Sequence, residues 1–389
     1  MLRTIGLMSG TSLDGVDAAW VETDGERIGR LGPAITLPYE PSLRRDLRTL
    51  LDRAAEIGPD DPFLADCVTR LTTRHVEAVR AVGWQADLVG FHGQTILHRP
   101  APWDRRRAET PKAASTAGVN PTVYRGPGST HAPFTWQVGD AARLARETGL
   151  SVAHDFRSAD VAAGGQGAPL VPIVHAVLAR DLPKPLAVLN LGGVGNVTWI
   201  GADGELVAFD TGPANGPLDD WARRATGEAY DRDGRLALTG QPDGGVLARL
   251  IAHPYLAAPP PKSLDRLDFD RALKEAGAAA LSPADGAATL VAFCAVCVAA
   301  AARHFPAPPV QWLVAGGGRR NPAIMRALAS ALTEPVRPVE VAGWNGDALE
   351  AQAFGVLAAR VWRGLPLTFP GTTGALEPLR GGRITGPLI

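Results

Sequence analysis

The chain has 389 residues, enough for two domains with full cores. Hydrophobic residues make up 46% and charged residues 20%, and the formal net charge is -1, so no overall field favours nucleic acid or an anionic membrane as partner. Three cysteines, Cys67, Cys294 and Cys297, are too few for a disulfide framework and suit a reducing compartment.

The first ten residues carry one arginine and no apolar run of signal-peptide length, which makes the cytoplasm the expected location. The most apolar run, Gly286 to Ala302, is mostly alanine, ends at Arg303 and reads as a buried helix instead of a membrane span. Counts of 44 glycines and 33 prolines announce many turns.

In chain order, Ile5 to Met8 reads as a buried strand, Ser9 to Gly15 as a turn and Val16 to Glu22 as a returning strand. The turn offers Gly10, Thr11, Ser12, Leu13, Asp14 and Gly15, followed by Val16 and Asp17. Glycines leave the backbone N–H groups open to an anion, the hydroxyls add donors, and Asp14 is placed to hold magnesium through water. A tight hairpin whose glycines serve geometry alone gives the same pattern.

Leu31 to Tyr39 predicts a strand, and Ser42 to Leu51 and Phe63 to Val82 predict helices. Ala86 to Phe91 predicts a strand whose end delivers His92, Gln94 and Thr95, candidates for substrate contact because open α/β sheets bind ligands at strand ends, although His92 taken alone reads more plainly as a hydrogen-bonded loop residue. Residues Pro100 to Pro133, with Arg105, Arg106 and Arg107, read as a surface loop.

A strand at Ser151 to Ala153 leads to Arg157, Asp160, the glycine-rich run Gly164 to Pro169 containing Gln166, and a helix from Pro172. Arg157 suits a carboxylate or phosphate, and an Arg157–Asp160 pair pinning the loop is the plainer alternative. Leu186 to Leu191 is a buried strand, Gly192, Gly193 and Gly195 mark a turn, and Val197 to Ile200 returns, which repeats the logic of the first hairpin. Leu206 to Phe209 delivers Asp210 at a strand tip, where it is placed as a general base or as a turn aspartate.

Ser282, Pro283 and Asp285 open a long helix that carries Cys294 and Cys297 on one face, a core pattern. A strand from Val310 to Ala315 runs into Gly316, Gly317 and Gly318 and then a helix, a junction that lets a nucleotide approach the backbone. A closing helix holds Glu350 and the small residues Ala351, Ala353 and Gly355, suited to close packing. No GxGxxG with a following acidic residue and no GxxxxGK[ST] occurs.

The blocks MSGTSLDGVD (8–17), GFHGQTILH (90–98), DFRSADVAAGGQGAPLVP (155–172), NLGGVGNV (190–197), FDTGPANGPLDDW (209–221) and AGGGRRNP (315–322), in this order, resemble the anhydro-N-acetylmuramic acid kinases nearly end to end. The resemblance implies an α/β, two-domain actin-like ATPase fold (a duplicated ribonuclease H-like fold) with a central, closing cleft. It also implies ATP and Mg2+ as cofactors, a homodimer, and hydrolytic opening of 1,6-anhydro-N-acetylmuramic acid with phosphorylation of O6 in cell-wall recycling. By the resemblance Asp210 is the base. Gly10 to Asp17 and Gly192, Gly193 and Gly195 cradle phosphates, and Gly316 to Gly318 carry the nucleoside. Arg157, His92, Gln94, Thr95, Asp160, Gln166 and Glu350 face the sugar.

Domain boundaries are expected near residues 150 and 362, with the segment from about residue 363 packing back on the first domain. The 100–133 loop is longer than the family pattern. Competing readings are another actin-like sugar kinase or phosphatase, and a non-catalytic actin-like nucleotide-binding module.

Overall fold

The computed structural model describes residues 1–10, 12–100, 133–264 and 268–387. Thr11 and the arginine-rich loop lie outside the described residues. Strands in chain order are β1 (Leu2–Ser9), β2 (Gly15–Thr23), β3 (Ile28–Pro38), β4 (Leu88–Arg99), β5 (Phe134–Val138), β6 (Ser151–His154), β7 (Leu186–Leu191), β8 (Val194–Ile200), β9 (Leu206–Pro213), β10 (Trp312–Ala315), β11 (Val336–Pro338) and β12 (Arg383–Thr385). The chain divides into two units, residues 1–180 with 348–389, and residues 181–347.

In the first unit the sheet runs β12-β6-β4-β1-β2-β3, with β5 paired to β4. Strands β1 to β3 form an antiparallel meander, β4 lies parallel to β1 (Leu7 opposite Phe91) and β6 parallel to β4 (Leu88 opposite Ser151). In the second unit the order is β11-β10-β7-β8-β9, again a meander of three with β10 parallel to its first strand and β11 parallel to β10. One topology therefore occurs twice, which is the duplicated actin-like arrangement.

The observed division corrects the expected boundaries. Strand β6 pairs with β4, so residues 151–180 stay with the first unit, and the helix Leu349–Trp362 rejoins that unit as well. The returning strand of the second hairpin starts at Val194, three residues earlier than expected.

Helix starts follow local chemistry. Asp61, Asp140 and Ser282 each accept a hydrogen bond from an N–H of the first turn, and Pro62 and Pro283 occupy first positions where no N–H is needed. Leu43, Leu47 and Leu50 form the buried stripe of helix Pro41–Arg53 and pack with Leu71 and Phe91 under one face of the first sheet. Helix Pro283–Ala302 is the described helix long and apolar enough to cross a membrane, yet 67% of its apolar window is buried inside the protein, against Phe209, Leu218 and Trp312.

The other face of the first sheet is covered by helix Leu349–Trp362 at backbone contact. A Cβ on Gly6 would lie 1.8 Å from the Ala351 carbonyl oxygen, and one on Gly90 would lie 2.0 Å from that of Phe354. These two glycines and the helix's own small residues are what allow the approach. Gly90→Ala is expected to lower the unfolding free energy by about 3 kcal/mol, as forced overpacking against backbone does. Urea unfolding followed by far-UV circular dichroism measures it; a loss under about 0.5 kcal/mol contradicts the contact.

Candidate functional site

In the first unit β4 runs past its expected end at Phe91 to Arg99, so His92, Gln94 and Thr95 lie within the strand, where they and the segment after β6 gather a polar cluster. His92 is buried, and its Nδ1 lies 2.7 Å from the Gly93 carbonyl oxygen. A carbonyl can only accept, so Nδ1 carries the proton and Nε2 is left as an acceptor. Arg157 fills it, donating from Nε at 3.1 Å, with Nη2 at 3.0 Å. Burial, and then the Arg157 charge, hold His92 well below its ordinary pKa, so the imidazole is neutral. The Phe354 ring lies against it at 4.6 Å.

Arg157 also donates from Nη1 to the Gly167 carbonyl at 2.7 Å. Burial lowers its pKa to about 10, opposed by the nearby charges of Glu350 and Asp160, so it stays a cation. A guanidinium carries five N–H donors, more than these partners take, and its planar geometry suits a carboxylate. Glu350 is exposed at the first turn of the helix Leu349–Trp362.

Arg157 and Asp160 do not pair directly. Asp160 is 2% exposed and accepts from Gly167 N–H at 2.6 Å, Thr368 Oγ1 at 2.6 Å and Thr373 Oγ1 at 2.7 Å. It anchors the glycine-rich loop to the C-terminal segment. Gln166 is fixed through its backbone, N–H to the Thr373 carbonyl at 2.7 Å and carbonyl to His98 Nε2 at 3.0 Å. Gln94 is fully buried with Oε1 lacking a partner, and Thr95 Oγ1 accepts from Gln137.

The first hairpin turn closes by a hydrogen bond from Leu13 N–H to the Gly10 carbonyl at 3.1 Å. Its left-handed residue is Leu13 (φ 57), not a glycine, and the strain is tolerated because the side chain is fully buried. Leu13 and Val16 are core residues, so only their backbone can meet a ligand. The exposed Asp14 carboxylate pairs with Arg44 Nη2 at 2.8 Å, and Asp17 accepts from Thr36.

In the second unit, Gly192 and Gly193 carbonyls accept the first N–H groups of the helix Asn215–Thr226 (Asn215 to Gly192 at 2.9 Å, Gly216 to Gly193 at 3.1 Å). A bulge between Gly195 and Asn196 leaves Asp210 opposite Asn196. Burial pushes the partly exposed Asp210 carboxyl up to about 6, against the Leu264 N–H and the Lys262 charge, which pull it down. Leu264 N–H binds Oδ2 at 2.8 Å. Neither Lys262 nor Leu264 stands out in the sequence, since neither belongs to a motif around Asp210.

The glycines separate into two kinds. Gly15, Gly195, Gly316 and Gly318 are required by packing, Gly316 also by φ 74 and a Cβ 2.5 Å from Asn190 Oδ1. A Cβ on Gly193 would meet nothing within 4 Å, one on Gly10 only Ser12 Oγ at 3.6 Å, and one on Gly317 only Asn215 Nδ2 at 3.5 Å. Among the described residues, nothing demands glycine at these three positions.

The repeated meander with glycine turns at its strand ends defines an actin-like α/β protein. The sequence model of the anhydro-N-acetylmuramic acid kinase family matches residues 2–119 and 104–386, and the chain belongs to that family. Similar relatives bearing that name come from Acidiphilium cryptum, 56% identical over 386 residues and covering 99% of both chains, and from Rhodospirillum rubrum, 51% identical over 383 residues and covering 97% of this chain and 92% of the relative. A third, from Paramagnetospirillum magneticum, is 51% identical over 389 residues, 98% of this chain and 99% of its own.

The two kinds of glycine separate by substitution. Gly193→Ala is expected to leave stability within about 0.5 kcal/mol while weakening ATP binding about ten-fold, and Gly316→Ala to cost about 2 kcal/mol. Urea unfolding and titration calorimetry read the two quantities; a Gly193→Ala protein that binds ATP normally removes the ligand reading of that turn.

Proposed function

We propose that the protein is an ATP-dependent kinase that opens 1,6-anhydro-N-acetylmuramic acid with water and phosphorylates its O6, giving N-acetylmuramic acid 6-phosphate and ADP, in the cytoplasm as part of cell-wall recycling. In the anhydro sugar O6 is tied into the internal bridge. Water attacks the anomeric carbon, the C1–O6 bond breaks, and O6 takes the γ-phosphoryl group. Asp210 accepts the proton that water loses. The observation that carries this reading is the state of Asp210 in a chain of this family: a carboxyl on β9, one oxygen fixed by Leu264 N–H, with a pKa raised to about 6. A base of that strength is ionised at neutral pH and close to the optimum for proton transfer.

The hairpin residues Gly10 to Asp17, with Gly192, Gly193 and Gly195, bind the phosphates, and Gly316 to Gly318 receive the nucleoside. The open positions at Gly10, Gly193 and Gly317 support this, because glycine there serves no packing need among the described residues. Asp14 is a single exposed carboxylate, which fits an Mg2+ that keeps its waters and is carried chiefly by the nucleotide; bound there, the ion would neutralise phosphate charge. The Arg157 fork takes the lactyl carboxylate, and Gln94, through its unpartnered Oε1, and Glu350 and Thr95 meet the sugar. Asp160, Gln166 and His92 hold this surface in shape. A homodimer is the expected assembly.

Phosphorus NMR of ATP with the anhydro sugar in ¹⁸O-labelled water is expected to give product with the label at the anomeric oxygen and none in phosphate; label in phosphate overturns the chemistry. Asp210→Asn is expected to lower kcat at least a thousand-fold with both substrates still bound. A raised carboxyl pKa means that the ionised form is disfavoured in the folded state, so the penalty is present above about pH 6 and absent below about pH 4. The asparagine variant is therefore expected to be more stable than the parent at pH 8, by about 1–3 kcal/mol, and equal to it at pH 4. A variant that turns over normally sinks the assignment.

A further inference from the structure

Asp210 is held by a segment that follows it by some fifty residues. Tyr255 OH donates to the Asp210 carbonyl at 2.7 Å, Asp210 N–H donates to the Lys262 carbonyl at 3.1 Å, and Leu264 N–H donates to Asp210 Oδ2 at 2.8 Å. The segment is braced on itself, since Lys262 Nζ donates to the Tyr255 carbonyl at 2.9 Å. That ammonium lies 4.6 Å from the centre of the Tyr255 ring and 5.6 Å from that of Phe209, the residue before the carboxylate. Two aromatic faces and a carbonyl fix a cation beside the acid.

We propose that residues 255–264 form a strap that positions Asp210, and that Lys262 is a positioning residue for the reaction whose charge keeps the base ionised. The inference rests on Asp210 being that base. Leu264 occupies Oδ2 and thereby leaves Oδ1 as the oxygen free to take a proton. Lys262 opposes the burial that would otherwise neutralise the acid.

Other groups that reach this site carry no charge at neutral pH. From helix Pro283–Ala302, burial drives the Cys297 thiol well above its ordinary range, so it is uncharged. His304, edge-on to Phe209 at 5.7 Å, is pushed below its ordinary value by burial and then by Lys262, so it is neutral. Among the described residues, Lys262 is the charge acting on Asp210.

The test is the pH dependence of kcat/KM for the full chain with ATP and the anhydro sugar. In Lys262→Met the acidic limb is expected to move up by about one pH unit, so activity falls about ten-fold at pH 5 and stays within about two-fold of the parent at pH 8.5. Lys262→Arg is expected to return the limb to the parent's position. Leu264→Pro, which removes the N–H, is expected to lower kcat at every pH, with Leu264→Ala, which keeps the N–H, close to the parent.

A Lys262→Met profile scaled down evenly, with an unmoved limb, overturns the charge role. Equal effects of proline and alanine at position 264 overturn the strap. If Asp210→Asn itself keeps full turnover, it is the base assignment that fails, an outcome separable from the other two.

Discussion

Two glycines that let a helix touch a sheet backbone to backbone set the geometry of the first unit. Gly90 lies beneath the Phe354 carbonyl, and His92 follows two residues along the same strand, so the close approach lays the Phe354 ring on the His92 imidazole. His92, locked by Gly93 on one nitrogen, presents the other to Arg157, and Arg157 reaches on to Gly167. A fixed guanidinium is thus built from an apolar contact, a tautomer and a loop carbonyl. Any residue larger than glycine at position 90 would shift the whole series.

The same sheet order serves the second unit for different ends. In the first unit the strand tips carry a cation whose partners are neutral, an imidazole and a carbonyl. In the second, β9 carries an acid with a cation beside it. His92 lies within β4, beside the segment that follows β6, and Asp210 lies within β9, the antiparallel edge strand of its sheet. The duplication supplies two rigid platforms, and the chemistry differs because different loops were attached to them.

Much of this was legible in the sequence where the signal is local. Continuous apolar runs such as Leu186 to Leu191, followed by glycines, gave both hairpins, and Ser282 with Pro283 gave a helix start. Three-residue strands such as Val336–Pro338 and Arg383–Thr385 carry too few residues to show a period. The unit boundary depends on β6 choosing β4 as neighbour, a pairing across more than sixty residues that no local pattern records. The turn's left-handed residue is Leu13, which no local pattern marks, because burial of its side chain outweighs backbone preference. His92, placed at the sugar by the resemblance and read alone as a hydrogen-bonded residue, spends both nitrogens on the protein.

The acid and its strap show why the second site resists reading from motifs. A carboxylate on a strand is common, and what sets this one apart is its surroundings: burial that raises its pKa, and the Leu264 N–H and then the Lys262 charge that oppose the rise. Burial alone would carry the group toward a neutral acid at physiological pH, and full exposure would leave it too weak a base. The intermediate value follows from burial, the larger effect, opposed by the Leu264 N–H and the Lys262 charge of a segment fifty residues away. That balance makes the fold give up stability at the point where ionisation is needed, and it makes the strap, more than the strand, the element on which the strength of the base depends.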